Sequence, residues 1–274
     1  MINVVVAGSC GRMGSEMVRT IYEQEDMKIV AGIERNDSPY IGKDLGEVVG
    51  LGKIGVTVYK SDDLLNVLKN NVDVLVDFTN AHAAVETVKK SCEMGVNLVV
   101  GTTGFTPEQR EIMEKAIKES GVSAVISPNM AVGVNLFFKI TGELAKVLGD
   151  DYDIEIIEAH HKHKLDAPSG TAIRTGEIIA QVLGRDLDKD GVFGRQRGVI
   201  GERGKKDIGF HAIRAGDIVG EHTVLFAGPG ERIELTHRAH SRRAFANGAL
   251  KAIRFVNSVG KTGKIYSSFD VLGL

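Results

Sequence analysis

The chain has 274 residues, room for one large or two modest domains at roughly 150 residues each. Hydrophobic residues make up 43% and charged residues 26%, a globular balance that excludes a disordered or fibrous chain. With 34 basic against 36 acidic residues the net charge is -2, which leaves no field to hold nucleic acid or anionic lipid, so neither partner is expected.

The first 130 residues alternate β-branched runs with helical stretches, the pattern of a parallel sheet covered on both faces. Strands are expected at Ile2 to Ala7, Lys28 to Ile33, Val72 to Phe78, Val96 to Val100 and Val122 to Ile126. Helices are expected near Arg12 to Glu23, Leu64 to Lys69, Ala81 to Met94 and Pro107 to Glu119. The last opens on Thr106-Pro-Glu-Gln109, a capping box with proline at the first helical position. The apolar start, Ile2 to Ala7, is too short for a signal-peptide core. The longest apolar run, Met130 to Phe138, is broken by Gly133 and Asn135 and falls short of the roughly 18 residues of a membrane helix. Cys10 and Cys92 are the only cysteines and form no CxxC pattern, so a reducing, cytoplasmic location is expected.

After residue 130 the pattern changes. A helix is expected at Leu136 to Leu148, a strand at Tyr152 to Ala159, a helix at Gly170 to Leu183 and a polar loop at Arg185 to Lys206. Three strands then follow without helices between them: Ile208 to Arg214, Val219 to Ala227 and Arg232 to His237. The fold class is therefore α/β: a Rossmann-type doubly wound parallel sheet over 1–130, and a second α+β domain over 131–240 with a mixed, largely open sheet. A C-terminal helical segment, about 241–274 with Arg243 to Ser258 as its helix, is expected to pack back on the first domain.

In an open parallel sheet, ligands bind beyond the carboxyl ends of the strands. Strand one runs into Gly8-Ser9-Cys10-Gly11-Arg12-Met13-Gly14, a glycine turn opening a helix whose free N–H groups suit a pyrophosphate. Cys10 stands where the usual fingerprint has a glycine, and a tight turn without ligand is the plain alternative. Glu34 ends strand two, twenty positions after Gly14, where an acid meets the ribose hydroxyls of NAD. Arg35 beside it suits the 2'-phosphate of NADP, so NADH and NADPH both stay open. Phe78-Thr79, Gly101-Thr102-Thr103-Gly104 and Ser127-Pro128-Asn129-Met130 are the remaining strand ends.

The densest polar cluster is Glu158-Ala-His-His-Lys-His-Lys-Leu-Asp-Ala-Pro-Ser-Gly-Thr171. A metal site is disfavoured, because Lys162 and Lys164 repel a cation and no cysteine lies near. A Ser169-His160-Asp166 triad lacks the G-x-S-x-G elbow, and a solvated basic loop remains the bland alternative. The better reading is an anion site with proton-transfer groups. Ser169, Gly170 and Thr171 begin a helix that can grip a carboxylate, His161 and Lys164 add positive charge, and a dicarboxylic acid fits. Crowding of like charges is expected to lower the basicity of His160 and Lys164 toward working pH, suiting both to acid catalysis.

The segments GSCGRMG, GTTGF, EAHHKHKLDAPSGTA, RAGDIVGEHTV, ELTHRAHS and FANGA resemble the 4-hydroxy-tetrahydrodipicolinate reductase family, also called dihydrodipicolinate reductase, along nearly the whole chain. The resemblance implies an NAD(P)H-dependent reduction of a cyclic unsaturated imine dicarboxylate in lysine biosynthesis, with loss of water. It implies cofactor contacts at Gly8 to Met13, Glu34, Arg35, Gly101 to Thr103 and Ser127 to Met130. It implies proton transfer by His160 and Lys164, substrate-carboxylate contacts at His161, Gly170 and Thr171 with Ser169 close by, and a homotetramer formed through the second domain's sheet. A nucleotide sensor is the rival from another class, disfavoured by the acid–base cluster. A dehydrogenase of amino acid semialdehydes or sugars is the second rival, with no need of a doubled carboxylate grip.

Overall fold

The computed structural model describes residues 1–274. The chain runs β1 (Ile2–Ala7), α1 (Arg12–Tyr22), β2 (Met27–Glu34), α2 (Leu45–Val49), β3 (Val58–Lys60), α3 (Leu64–Leu68), β4 (Val74–Asp77), α4 (Ala81–Glu93), β5 (Asn97–Val100), α5 (Pro107–Ser120) and β6 (Ala124–Ile126). There follow α6 (Val132–Leu148), β7 (Asp153–His160), α7 (Gly170–Leu183), α8 (Leu187–Asp190), β8 (Gly191–Phe193), β9 (Ile208–Arg214), β10 (Gly220–Gly228) and β11 (Glu231–Ala239). The chain ends in α9 (Arg243–Ser258), β12 (Ile265–Tyr266) and α10 (Ser268–Leu272). It divides into two compact units, Met1–Val132 with Arg242–Leu274, and Gly133–Ser241.

The first unit is a seven-stranded sheet in the order β12-β6-β5-β4-β1-β2-β3, parallel throughout. Alternation along β1 sorts its two faces: Val4 and Val6 pack with Met17 of α1 and Ala249 and Ile253 of α9. Val5 and Ala7 face Leu64, Val88 and Ile117 of α3, α4 and α5. Both faces are thus buried, which is why the strands read as near-continuous apolar runs. Strand order reverses between β1 and β4, the switch point where a doubly wound sheet opens a crevice. The expected capping box forms, with Thr106 and Gln109 each satisfying the other's backbone N–H.

The second unit is a five-stranded mixed sheet ordered β11-β10-β7-β9-β8. The strands β7, β8 and β9 are parallel, while β10 runs antiparallel to β7 and β11. Its inner face carries Ile154, Ile156, Phe210, Val224 and Phe226, and Gly176 lets α7 approach the Phe210 ring. Two expectations are corrected. The stretch from Arg185 to Lys206 is not wholly loop, since it holds α8 and the edge strand β8. Helix α6 begins at Val132 rather than Leu136, because Gly133 and Asn135 sit inside the helix and Asn135 is buried. The short α2, β3, β12 and α10 were not anticipated; at two to five residues each, they are too brief to show a period.

Candidate active site

In the first unit the carboxyl ends of β1, β2 and β4 come level, Ala7 lying opposite Ile33 and Asp77. Beyond them opens a cleft of about 620 Å³ lined by Gly8, Gly11, Glu34, Arg35, Phe78 and Thr79 among others. The glycines are there for close approach. Gly8 has φ +72°, and a Cβ on Gly14 would stand 1.9 Å from the Gly8 carbonyl oxygen. No side chain caps α1, so its first-turn N–H groups, from Arg12 and Met13 onward, face a cradle shaped for an anion. These residues fit a dinucleotide.

Cys10 takes part through its backbone: its N–H donates to Glu34 Oε1 at 2.7 Å. Burial, with Glu34 nearby, pushes the thiol up to about 11, so it stays protonated and inert. Ser9 is fully buried and adjoins Gly32, where a Cβ would meet its hydroxyl at 2.6 Å. Arg35 is exposed and paired with Asp37 at 3.0 Å.

Gly101 to Thr103 and Ser127 to Met130 follow β5 and β6 on the same sheet edge, and they divide by role. Gly101 lies against the Phe78 ring, which a Cβ would meet at 2.0 Å. Thr102 is a buried strut whose hydroxyl donates to Asp77 at 2.7 Å and accepts from the Thr79 N–H at 2.9 Å. Thr103 and Pro128 are exposed. The Ser127 hydroxyl donates to the Asn129 carbonyl at 2.9 Å. Met130 is core, and its carbonyl lies against Gly248. Asp77, unremarked in the sequence, is fully buried with Oδ2 unpartnered; burial raises its pKa against bonds from Thr102 and Thr79.

In the second unit β7 delivers Glu158 and His160, and the next loop brings Lys164 and Asp166. Glu158 sits on the buried face of the strand, in step with Ile154 and Ile156, at 1% exposure. It accepts four short bonds: His160 Nδ1 at 2.6 Å, Arg214 Nη1 and Nη2 at 2.8 Å each, and the Ser169 N–H at 3.0 Å. Burial works to raise its pKa, but Arg214, His160 and the Ser169 N–H outweigh that and hold the carboxyl below its ordinary range.

Lys164 Nζ donates to both oxygens of Asp166, at 2.8 and 2.9 Å. For His160, like-charge crowding is not the main influence: its basicity is lowered first by burial, against the pull of Glu158, with Lys164 and Arg214 adding less.

Ser169 caps α7 by accepting from the Ala172 N–H at 3.2 Å, and its hydroxyl meets His222 Nε2 at 2.8 Å. Ser169 therefore pairs with His222 and not with His160. Gly170 is exposed at the helix start, Thr171 follows it half-buried, and His161 keeps Nδ1 buried without a partner. Arg214 and His222 were missed in the sequence. His222 carried a signal, a polar side chain in step with the buried Val224 and Phe226 of β10.

A dinucleotide-type sheet with a glycine turn at its switch point, joined to a unit that carries paired proton-transfer groups, is the build of a two-domain oxidoreductase. Residues 2–130 match the family profile "Dihydrodipicolinate reductase, N-terminus" and residues 133–272 match "Dihydrodipicolinate reductase, C-terminus". The chain is 58% identical to a 4-hydroxy-tetrahydrodipicolinate reductase of Methanocaldococcus jannaschii, over 100% of this chain and 98% of that one. It is 55% identical to the reductase of Methanothermobacter thermautotrophicus over all of both chains. Among solved structures it resembles a dipicolinate-bound dihydrodipicolinate reductase from Paenisporosarcina sp. TG-14, with TM-score 0.76, 28% identity and 98% of each chain covered. An amine dehydrogenase from Mycobacterium smegmatis, at 17% identity and TM-score 0.58 over 94% of this chain and 92% of its own, shares the fold. The chain belongs to the 4-hydroxy-tetrahydrodipicolinate reductase family.

Proposed function

We propose that the chain reduces 4-hydroxy-tetrahydrodipicolinate to tetrahydrodipicolinate with loss of water, using NADH, NADPH or both, in diaminopimelate and lysine biosynthesis. The observation that carries the chemistry is the second unit's cluster, in which an ion-paired ammonium, a half-buried imidazole and a helix N-terminus converge. When bound, the reduced nicotinamide supplies hydride. The protein's own residues bind, orient and move protons.

The Gly8 to Met13 turn would hold the pyrophosphate at the α1 N-terminus, and Gly101 to Thr103 with Ser127 to Met130 would border the nicotinamide end. Glu34 accepts from ribose hydroxyls with the oxygen not used by Cys10, which favours NADH. Arg35 stands ready for a 2'-phosphate, which favours NADPH. Ser169, Gly170, Thr171 and His161 hold a substrate carboxylate, and dipicolinate, the ligand named for the Paenisporosarcina enzyme, has the same pair of carboxylates. Binding both orients the ring and removes its rotational freedom before reaction. The Lys164 ammonium delivers a proton to the reduced ring. His160, whose burial favours the neutral imidazole, takes up and returns a proton during water loss.

A homotetramer is proposed through the open face of the second sheet, where Ile157, Leu225 and Ile213 stand only partly covered. No helix is long and apolar enough to cross a membrane, and no nucleic-acid or membrane partner is proposed. The test is steady-state oxidation of NADH and of NADPH with substrate formed from pyruvate and aspartate semialdehyde by the preceding synthase, with and without dipicolinate. Turnover inhibited competitively by dipicolinate is expected. A folded protein that binds cofactor but oxidises neither would overturn the proposal in favour of a sensor.

A further inference from the structure

Glu158 and Arg214 have no role in the proton transfers just described, yet Glu158 is 1% exposed and carries four hydrogen bonds, two of them from Arg214. A carboxylate has about four acceptor positions, and Glu158 fills all four, with His160, the Ser169 N–H and both terminal nitrogens of Arg214. Stability alone does not call for this arrangement. Taking an ion pair to 1% exposure on the carboxylate side costs several kcal/mol of solvation, and apolar side chains of similar volume often serve as well. What a fixed, ionised acceptor supplies, and an apolar pair does not, is direction. Held ionised by Arg214 and with no proton of its own to give, Glu158 can only accept at 2.6 Å from His160. Nδ1 of the ring must therefore be the protonated nitrogen, and Nε2 is left to exchange protons. Nε2 lies over Gly220, where a Cβ would come within 3.1 Å of it, so the backbone of β10 keeps that side of the ring clear.

Arg214 also reaches the second proton-transfer group. Besides Glu158, its Nη2 donates to the Asp166 carbonyl at 2.6 Å, and the Asp166 carboxylate holds both bonds to Lys164 Nζ. One guanidinium therefore braces His160 through Glu158 and Lys164 through Asp166. The Ser169 N–H bond fixes the start of α7 to the same carboxylate. The fork geometry of arginine suits this, since its nitrogens serve separate acceptors in one plane.

We propose that Glu158 and Arg214 are positioning residues for the reductase reaction: Glu158 sets the Nδ1–H tautomer of His160, making Nε2 its working nitrogen, and Arg214 locks that carboxylate and the Lys164–Asp166 pair into one frame. The proposal rests on the reading of His160 and Lys164 given above. In Glu158→Gln the amide oxygen still accepts on one side while the NH2 meets donors on the other; of those donors only His160 can become an acceptor, so the least costly response is for it to change tautomer and accept at Nδ1.

The test combines two measurements on the full-length enzyme. Ring-nitrogen NMR of 15N-histidine-labelled protein at pH 7.5 reads the tautomer of His160, assigned with His160→Asn. Steady-state kinetics with dipicolinate inhibition compare wild type, Glu158→Gln and Arg214→Lys. The expected results are Nδ1–H in the wild type and Nε2–H in Glu158→Gln. Turnover in Glu158→Gln should fall about 100-fold, the lower end of what a positioned proton-transfer group contributes, while dipicolinate inhibition stays within about threefold of wild type, a split that a general loss of structure would not give. Arg214→Lys, which keeps the charge and loses the fork, falls between the two. A wild-type His160 protonated on Nε2 alone, or turnover in Glu158→Gln within threefold of wild type, overturns the proposal. Should Glu158→Gln not fold, the wild-type tautomer still decides. A wild type that oxidises no reduced cofactor refutes the reductase reading separately, leaving the ring-nitrogen result to judge the positioning.

Discussion

The glycine turn admits a quantitative prediction at Gly14. A methyl group there would lie 1.9 Å from the Gly8 carbonyl oxygen and 2.6 Å from its carbon, whereas ordinary contact begins at 3.4 Å. These are backbone atoms and cannot swing aside as a flexible side chain would. Relief requires the turn and the start of α1 to separate by about 1.5 Å, the difference between those distances. An N–H placed about 2.9 Å from a phosphate oxygen would then be well outside hydrogen-bonding range. Losing two such bonds to a charged group, each worth about 1.5 kcal/mol at the low end, removes about 3 kcal/mol and weakens dinucleotide binding about 100-fold. The assay is fluorescence titration of NADH and NADPH with Gly14→Ala. Far-UV circular dichroism checks the fold, and dipicolinate binding checks the second unit, where no loss is expected. Dinucleotide affinity within threefold of wild type in the folded variant would refute the reasoning that Gly14 is there to let turn and helix meet beneath a phosphate.

Three further outcomes are expected. Burial lowers His222 from 6.5 to about 3, so below pH 6.5 the unfolded chain takes up a proton that the folded chain refuses, and stability is lost as pH falls. From pH 6.5 to 5 this amounts to about 2 kcal/mol, added to losses of the same sign from His160 and His237; urea unfolding across that range should show it, with a shallower slope in His222→Asn. Asp77, whose pKa burial raises, favours its protonated form in the folded state, so its contribution falls as pH rises. Asp77→Asn keeps an acceptor for Thr79 and Thr102, and should be at least as stable as wild type at pH 7 by the same unfolding assay, the advantage shrinking toward pH 4. Among surface pairs, Arg174→Ala should change stability by no more than about 0.5 kcal/mol, since its contact with Glu177 is half exposed on both sides.

The parts of this fold that were legible in the sequence are those where one physical rule acts alone. Strands β1, β4, β5 and β6 are buried on both faces and therefore read as apolar, β-branched runs, β2 keeps one face fully buried, and the Thr106 capping box marked its own helix start. The short β3, β8 and β12 have no period to detect and exist because a neighbouring strand offers them an edge. The same division holds in the candidate site. Gly8, Glu34, His160 and Lys164 stand at strand ends or in a dense local motif, where position in the chain implies position in the fold. Arg214 and His222 lie 56 and 53 residues from the groups they serve, and only the pairing of β9 and β10 with β7 brings them there. Asp77 looked like any strand-end acid until its burial and its unpartnered oxygen were visible. For His160 the expected direction holds and the cause differs: its basicity is lowered first by burial, which a run of charges in the sequence does not display, with Lys164 and Arg214 adding less.

The central claim, that this chain reduces a cyclic imine dicarboxylate with a proton delivered by Lys164, is tested most directly by one comparison. Reduced-cofactor oxidation is followed for wild type and Lys164→Ala on substrate generated from pyruvate and aspartate semialdehyde, with NADH and NADPH in separate runs and cofactor affinity measured alongside. Rapid oxidation by the wild type is expected, with turnover lowered about 100-fold or more in Lys164→Ala and cofactor affinity unchanged within about threefold. Turnover in Lys164→Ala equal to wild type, or loss of cofactor binding in step with turnover, would contradict it.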